Sequence, residues 1–277
     1  MIANKTTVSR DSLPAELEQR VAVLEERIDR RETDLPAEKI AVFDLDNTLL
    51  IGDIGDAVFA WLLKEGHKLP FSWRDYDGLL AAGRKRQAYE RVVTAMAGLT
   101  IDALNKATLQ VLRCDQPDIE LAGARVPVPR PNPIMQAFLK FIADLGYRVY
   151  VISATNIQSV RLACRELFGL PETHAFGIRS ILAFVSDPVS GNKQAVLTDK
   201  LEEPVTIGEG KVEAFKRFIS PHPPLIAAGD SLSDVPMLNM VPPLGLTIWV
   251  CRPGTDPQSV LPQLTHPQTL FVLPSVP

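Results

Sequence analysis

Short apolar runs that end abruptly in acidic or hydroxyl residues alternate along this chain with stretches of helical period. Ile40-Ala41-Val42-Phe43 stops at Asp44, Val149-Tyr150-Val151-Ile152 stops at Ser153, and Leu225-Ile226-Ala227-Ala228 stops at Gly229-Asp230. A fourth run, Leu246-Thr247-Ile248-Trp249-Val250, follows. Runs of four or five apolar residues without alternation predict strands covered on both faces, as in parallel sheets. Amphipathic helical spacing fills Ile134 to Leu145 and Val212 to Ile219. Strands alternating with helices predict an α/β fold with a parallel sheet.

One segment breaks the alternation. From residue 54 to about 120 the pattern predicts helices only, over Asp56 to Glu65, Tyr76 to Met96 and Ile101 to Leu112. Pro127, Pro129, Pro131 and Pro133 then recur at every second position, which suits an extended connector. The expected organisation is a catalytic core of residues 37–53 and 127–277, interrupted by a helical insert of residues 54–126. Residues 1–36 form an N-terminal helical extension. Within it Leu17, Val21, Leu24 and Ile28 mark an apolar stripe over residues 14–32. That stripe fits either a homodimer through a short coiled coil or a helix lying on the protein's own surface. Two heptads are short for a coiled coil, which favours the second.

Charge and composition narrow the function classes. The chain has 277 residues and a net charge of −4, so it lacks the basic excess expected of a nucleic-acid binder. No run approaches 18 apolar residues and residues 1–16 are polar, so neither a membrane span nor a leader is expected. Cys114, Cys164 and Cys251 are too scattered for a disulfide framework or a paired-cysteine metal site, and fit reduced thiols in the cytoplasm. The four histidines show no metal-ligand spacing.

The residues that close the apolar runs carry the chemistry. Asp44-Leu45-Asp46-Asn47-Thr48 follows the first run, Ser153-Ala154-Thr155 the second, and Gly229-Asp230-Ser231-Leu232-Ser233-Asp234 the third. Lys211, in Gly208-Glu209-Gly210-Lys211, opens a helix between them. Parallel strands share a C-terminal edge, and ligands of open α/β sheets bind at that edge. The pocket so formed holds four carboxylates, a lysine and a hydroxyl. Carboxylates this close need a cation between them, and oxygen donors without His or Cys select Mg²⁺. Asp44 can then attack phosphorus as a nucleophile, with Asp46 as acid and afterwards base. Ser153 and Lys211 would hold the phosphoryl oxygens.

These four segments resemble the motifs of the haloacid dehalogenase superfamily, and they span Asp44 to Asp234. The helical insert resembles the type 1 cap of the phosphoserine phosphatase-like branch. The resemblance implies a Rossmann-like three-layer core with a helical cap inserted after the first strand. It implies Mg²⁺ held by Asp44, the main-chain carbonyl of Asp46 and Asp230, with support from Asp234, and phosphate held at Ser153, Ala154 and Lys211. The acid at position 46 resembles the phosphatase pattern rather than the dehalogenase one. Substrate residues carried over from phosphoserine phosphatases are Asp53, for an amine, and Arg91, for a carboxylate. The pattern departs at Ala154-Thr155, where those enzymes have two glycines. The expected activity is therefore Mg²⁺-dependent hydrolysis of a small phosphorylated metabolite through an aspartyl-phosphate, in the manner of phosphoserine phosphatases. Pro204 to Lys211 resembles phosphorylcholine phosphatase-like members, and the aromatic insert residues Phe59, Trp61, Phe71, Trp73, Tyr76 and Tyr89 could serve a quaternary ammonium or form the insert's own core. The alternatives are thus a phosphorylcholine or phosphoethanolamine phosphatase, or a phosphotransferase to an acceptor alcohol.

Overall fold

The structure, a computed structural model, describes residues 13–121, 123–186 and 191–274. After helix α1 (Ala15–Asp29) comes β1 (Ile40–Phe43), then a tight turn and β2 (Leu50–Ile51). Helices α2 (Ile54–Lys64), α3 (Trp73–Ala81), α4 (Lys85–Ala95) and α5 (Ile101–Leu112) follow without a strand. The chain returns through β3 (Asp118–Leu121), β4 (Ala124–Pro127) and β5 (Arg130–Pro131). It continues through α6 (Pro133–Asp144), β6 (Arg148–Asn156), α7 (Ile157–Phe168), β7 (Ala175–Ser186) and β8 (Lys193–Glu202). It closes with α8 (Glu209–Phe218), β9 (Ile226–Gly229), α9 (Val235–Leu238), β10 (Leu246–Val250) and β11 (Leu270–Leu273).

The central sheet has the order β11-β10-β9-β1-β6-β7-β8. All neighbours are parallel except β7 and β8. The unbroken apolar runs are explained by burial on both faces. Ala41 and Phe43 of β1 join a core with Phe138 and Ile142 of α6 and Leu17 and Val21 of α1. Ile40 and Val42 face the other way, onto Ala214 and Phe215 of α8 and Met237 of α9. Successive strand residues point to opposite faces, so each needs an apolar side chain. The result is three layers, helix on sheet on helix.

Helix α1 lies on the protein's own surface. Leu17, Val21 and Leu24 are buried in the main core. Arg27 donates to the Leu244 carbonyl, and Lys39 pairs with Glu25 at 2.5 Å. Residues 1–12 of the predicted extension lie outside the described residues. No helix among the described residues is long and apolar enough to cross a membrane.

Three expectations change. The single helix expected over Tyr76 to Met96 is two helices, α3 and α4, separated at Gly83, whose φ of +69° glycine adopts without steric cost. A Ser72–Asp75 capping box starts α3 three residues earlier than expected. Strand structure begins at Asp118, where β3 pairs antiparallel with β4, and β2 pairs with β5, so the connector is partly sheet. The long β7–β8 hairpin went unpredicted because the outer half of β7 is solvated: Ile181, Leu182, Phe184 and Val185 are exposed, and apolar alternation is lost.

Candidate active site

The loops after β1, β6 and β9 and the start of α8 meet at the C-terminal edge of the sheet. Asp44 is held there by its own backbone, its N–H donating to the Ala228 carbonyl of the neighbouring strand at 2.9 Å. Beyond it the chain turns sharply, with Asn47 in the left-handed region at φ 58°. The turn sends the carboxylates of Asp44 and Asp46 into different surroundings.

Asp44 accepts from Lys211 Nζ at 2.7 Å, and the same ammonium donates to Asp234 Oδ1 at 2.6 Å. Lys211 is buried to 1% exposure, so it acts as a fixed positive charge. The other oxygen of Asp234 accepts from the backbone N–H groups of Ser231 and Asp230 and from the Ser231 hydroxyl. That close fold-back needs Gly229, because a Cβ there would come within 2.5 Å of the Asp234 Cβ. One ligand oxygen from each of Asp44, Asp230 and Asp234 lies within 4.8 Å of the others, and all three residues are buried. Three oxygen donors without nitrogen or sulfur suit a hard divalent cation, so these residues fit Mg²⁺.

Asp46 is turned away from this trio. Its Oδ1 accepts from the Ile54 N–H at 2.7 Å, and its Oδ2 from Ser153 Oγ at 2.8 Å and Thr155 Oγ1 at 3.0 Å. Ser153 and Thr155 share a strand face two residues apart. β6 and β7 shift register between Ile152 and Asn156, a bulge of the kind that re-aims side chains beside active sites. Gly177 makes room for it, since a Cβ there would approach the Thr155 carbonyl to 2.5 Å.

Burial sets the protonation preferences. It pushes the Asp44 carboxyl up to about 7, helped by the Asp234 charge and opposed by Lys211. It pushes Asp46 up to about 7, with Asp53 adding repulsion and the donors from Ile54, Ser153 and Thr155 opposing. Asp230 is also raised, by burial and then by Asp234 and Asp44. For Asp234 burial works upward, yet the Lys211 ammonium wins and holds it below the usual range. Lys211 is raised despite burial, because Asp234 and Asp44 stabilise its charge.

The cleft over these groups is lined by Asp44, Asp46, Asp53, Ala154, Lys211 and Asp230, with Lys85, Tyr89 and Arg252 facing them. Its free space is about 20 Å³, room for about one water. Asp53 caps α2 by accepting from the Asp56 N–H at 2.9 Å, and it lines the cleft as well. Arg91 is not brought in: it is exposed on α4 with its guanidinium over the Phe71 ring. Phe59, Phe71 and Tyr76 are buried against one another and against Trp73, as part of the main hydrophobic core.

Sequence reasoning missed Arg252, whose Nε donates to Asp230 Oδ2. It follows the apolar strand β10 and was findable by the same strand-end rule. It also missed Asp56, which accepts a hydrogen bond from Tyr76; nothing in its spacing distinguishes it from an ordinary helix residue.

Residues 41–239 match the family model of the haloacid dehalogenase-like hydrolases. The chain belongs to that family. Among solved structures, a protein of unknown function from Bordetella pertussis Tohama I superposes on this hydrolase with a TM-score of 0.60 at 20% identity, over 85% of this chain and 98% of that one. A conserved, functionally unknown protein from Anaerococcus prevotii DSM 20548 gives 0.58 at 15% identity, over 92% and 94%. A substrate-bound phosphoserine phosphatase complex gives 0.50 at 19% identity, over 83% and 100%. At these identities the likeness is one of fold. No curated protein matches the sequence.

Proposed function

We propose that this hydrolase is a Mg²⁺-dependent phosphomonoesterase acting on a small phosphorylated metabolite through an aspartyl-phosphate on Asp44. The observation that carries the reading is the division of labour between the two acids of the first motif. Asp44 pairs with Lys211 and belongs to the acidic trio, whereas Asp46 faces three hydrogen-bond donors on the opposite side.

Asp44, Asp230 and the carbonyl of Asp46 would hold the Mg²⁺, with Asp234 supporting them. When bound, the ion offsets the carboxylates and draws negative charge from the phosphoryl group. Lys211 holds a phosphoryl oxygen beside Asp44, with Ala154 in the same lining, and Ser153, buried beneath with its hydroxyl donated to Asp46, would join it by turning that hydroxyl to the phosphoryl group. The Asp44 carboxylate attacks phosphorus while the protonated Asp46 carboxyl gives its proton to the departing alkoxide. Asp46, now ionised, takes a proton from the water that opens the acyl phosphate. An acid raised to about 7 is matched to both halves near neutral pH.

The narrow cleft requires the helical insert to lift for substrate to enter and to close again for chemistry. Asp53 lines the cleft beneath it and favours an amine-bearing leaving group, which supports phosphoserine- or phosphoethanolamine-type substrates. A phosphotransferase would use the same steps with an alcohol replacing water.

The test is hydrolysis of p-nitrophenyl phosphate with Mg²⁺ by the wild type and Asp44→Asn, followed by a panel of phosphomonoesters. Equal rates in the two proteins would remove Asp44 as nucleophile. Phosphate appearing on an added alcohol instead of in water would favour the transferase.

A further inference from the structure

The cleft contains a cation that the motifs leave unexplained. Arg252 stands two residues beyond β10, and β10 pairs with β9 so that Trp249 lies beside Gly229. The register therefore brings Arg252 to the loop of Asp230, where its Nε donates to Asp230 Oδ2. Thr48 Oγ1 donates to the other oxygen at 3.4 Å. Asp230 itself is 1% exposed at its side chain, while Arg252 remains 33% exposed and lines the cleft. Lys211, by contrast, is committed at depth to Asp44 and Asp234. The three clustered carboxylates thus meet one cation that cannot leave and one, at the opening, that can.

Charge balance gives the second cation opposite effects on two ligands. With Lys211 and Arg252 in place, the three carboxylates are mostly neutralised. A divalent ion arriving among them meets a guanidinium on one of its own ligands, and like charges at such distances repel strongly in a desolvated site. A phosphoryl dianion then reverses the sign. Once the divalent ion is bound, the dianion returns the site to negative charge, and a guanidinium at the opening attracts it.

Building on the Mg²⁺ site proposed above, we propose that Arg252 is an exchangeable counter-cation: it competes with the divalent ion for Asp230 and, once displaced, binds the phosphoryl group of the substrate. Metal binding and substrate binding are then linked through one side chain. A residue that merely props Asp230 in place would strengthen both.

Calorimetry with Mg²⁺ alone, then with inorganic phosphate at saturating Mg²⁺, separates these roles. Arg252→Met keeps the aliphatic stem and removes the charge. It should bind Mg²⁺ about threefold or more tighter than the wild type, and phosphate about tenfold or more weaker. Arg252→Lys keeps the charge and should stay within about threefold of wild type for phosphate. This variant carries the test if the Met protein does not fold, because loss of phosphate affinity with charge retained would overturn the proposal. Weaker binding of both ligands by Arg252→Met would overturn it too, leaving Arg252 a structural prop. If the wild type binds no Mg²⁺, the metal reading itself fails and this proposal with it.

Discussion

Lys211 Nζ lies 2.7 Å from Asp44 Oδ1, with both side chains buried at 2% and 9% exposure. The ammonium also holds Asp234 at 2.6 Å, so one cation keeps two carboxylates at neighbouring positions. Removing it leaves buried charges without a partner. Lys211→Met should cost about 3–5 kcal/mol of stability, lowering Tm by about 10 °C. It should also reduce kcat by about 100-fold or more through loss of phosphoryl stabilisation. Differential scanning calorimetry and steady-state assays check the two parts separately. Retained activity in a folded Lys211→Met protein would remove the lysine from the reaction.

The Asp46 carboxyl, raised to about 7 by burial and Asp53, predicts a pH dependence tied to the leaving group. Its proton is needed to release an alkoxide, and the protonated fraction falls as pH rises through about 7. For an alkyl phosphate, kcat/KM should fall about tenfold per pH unit on the alkaline limb. p-Nitrophenolate departs without a proton, so p-nitrophenyl phosphate should show a flatter limb. Asp46→Asn should abolish alkyl phosphate turnover more completely than p-nitrophenyl phosphate turnover. Identical pH profiles for both substrates would exclude Asp46 as the acid.

How far the site can be read from sequence depends on where each residue stands. Asp44, Ser153 and Asp230 each terminate an apolar run, and Lys211 opens a helix, so parallel-strand geometry alone brings them together. Arg252 obeys the same rule, but it stands one residue clear of its apolar run, and an Arg at a strand end has many bland explanations. The insert is harder. Asp53 is expected at the substrate from the resemblance, and the structure shows that it lines the cleft while also capping α2. Arg91 reads like a substrate ligand by position, yet helix α4 turns it outward to Phe71. Helical period says which face is apolar, not which neighbouring helix will cover it. β7 and β8 escape notice for a different reason: the outer half of β7 is solvated and only Val196 and Leu197 of β8 are buried, which leaves too little burial to write a strand pattern.

The raised acids also set a stability profile when divalent ions are chelated. Asp44, Asp46 and Asp53 each titrate at about 7 in the folded protein, against an ordinary value of 3.8. Between these values the folded state keeps protons that the unfolded chain releases. By linkage, their contribution is fully present below 3.8 and is lost as pH rises through about 7. The lowered Asp234 works in the opposite direction, but its window lies below 3.8. In EDTA, Tm should therefore be higher at pH 6 than at pH 8 by about 10 °C. Saturating Mg²⁺ should narrow the gap by offsetting the ionised carboxylates. A Tm that rises from pH 6 to pH 8 in EDTA would contradict the burial argument.

Asp53 and Asp56 offer a test of the leaving group. Burial raises both, to about 7 and about 6, and neither makes a salt bridge among the described residues. Asp56 accepts from Tyr76, while Asp53 caps α2 with one oxygen and lines the cleft, which leaves it acceptor capacity facing the substrate space. A substrate ammonium would supply the missing charge. Asn also caps helices well, so Asp53→Asn should fold normally while losing the carboxylate. For an amine-bearing phosphomonoester it should lower kcat/KM by about 10- to 100-fold, the penalty for burying a charge opposite a neutral partner. Its kcat/KM for p-nitrophenyl phosphate should change by less than about threefold, because that substrate has no amine and its leaving group departs without the Asp46 proton that the Asp53 charge tunes. A parallel loss on both substrates would mean that Asp53 acts by holding the loop after Asp46, through the neighbouring Ile54 N–H, and the search for the substrate's recognition groups would move to Lys85 and Tyr89.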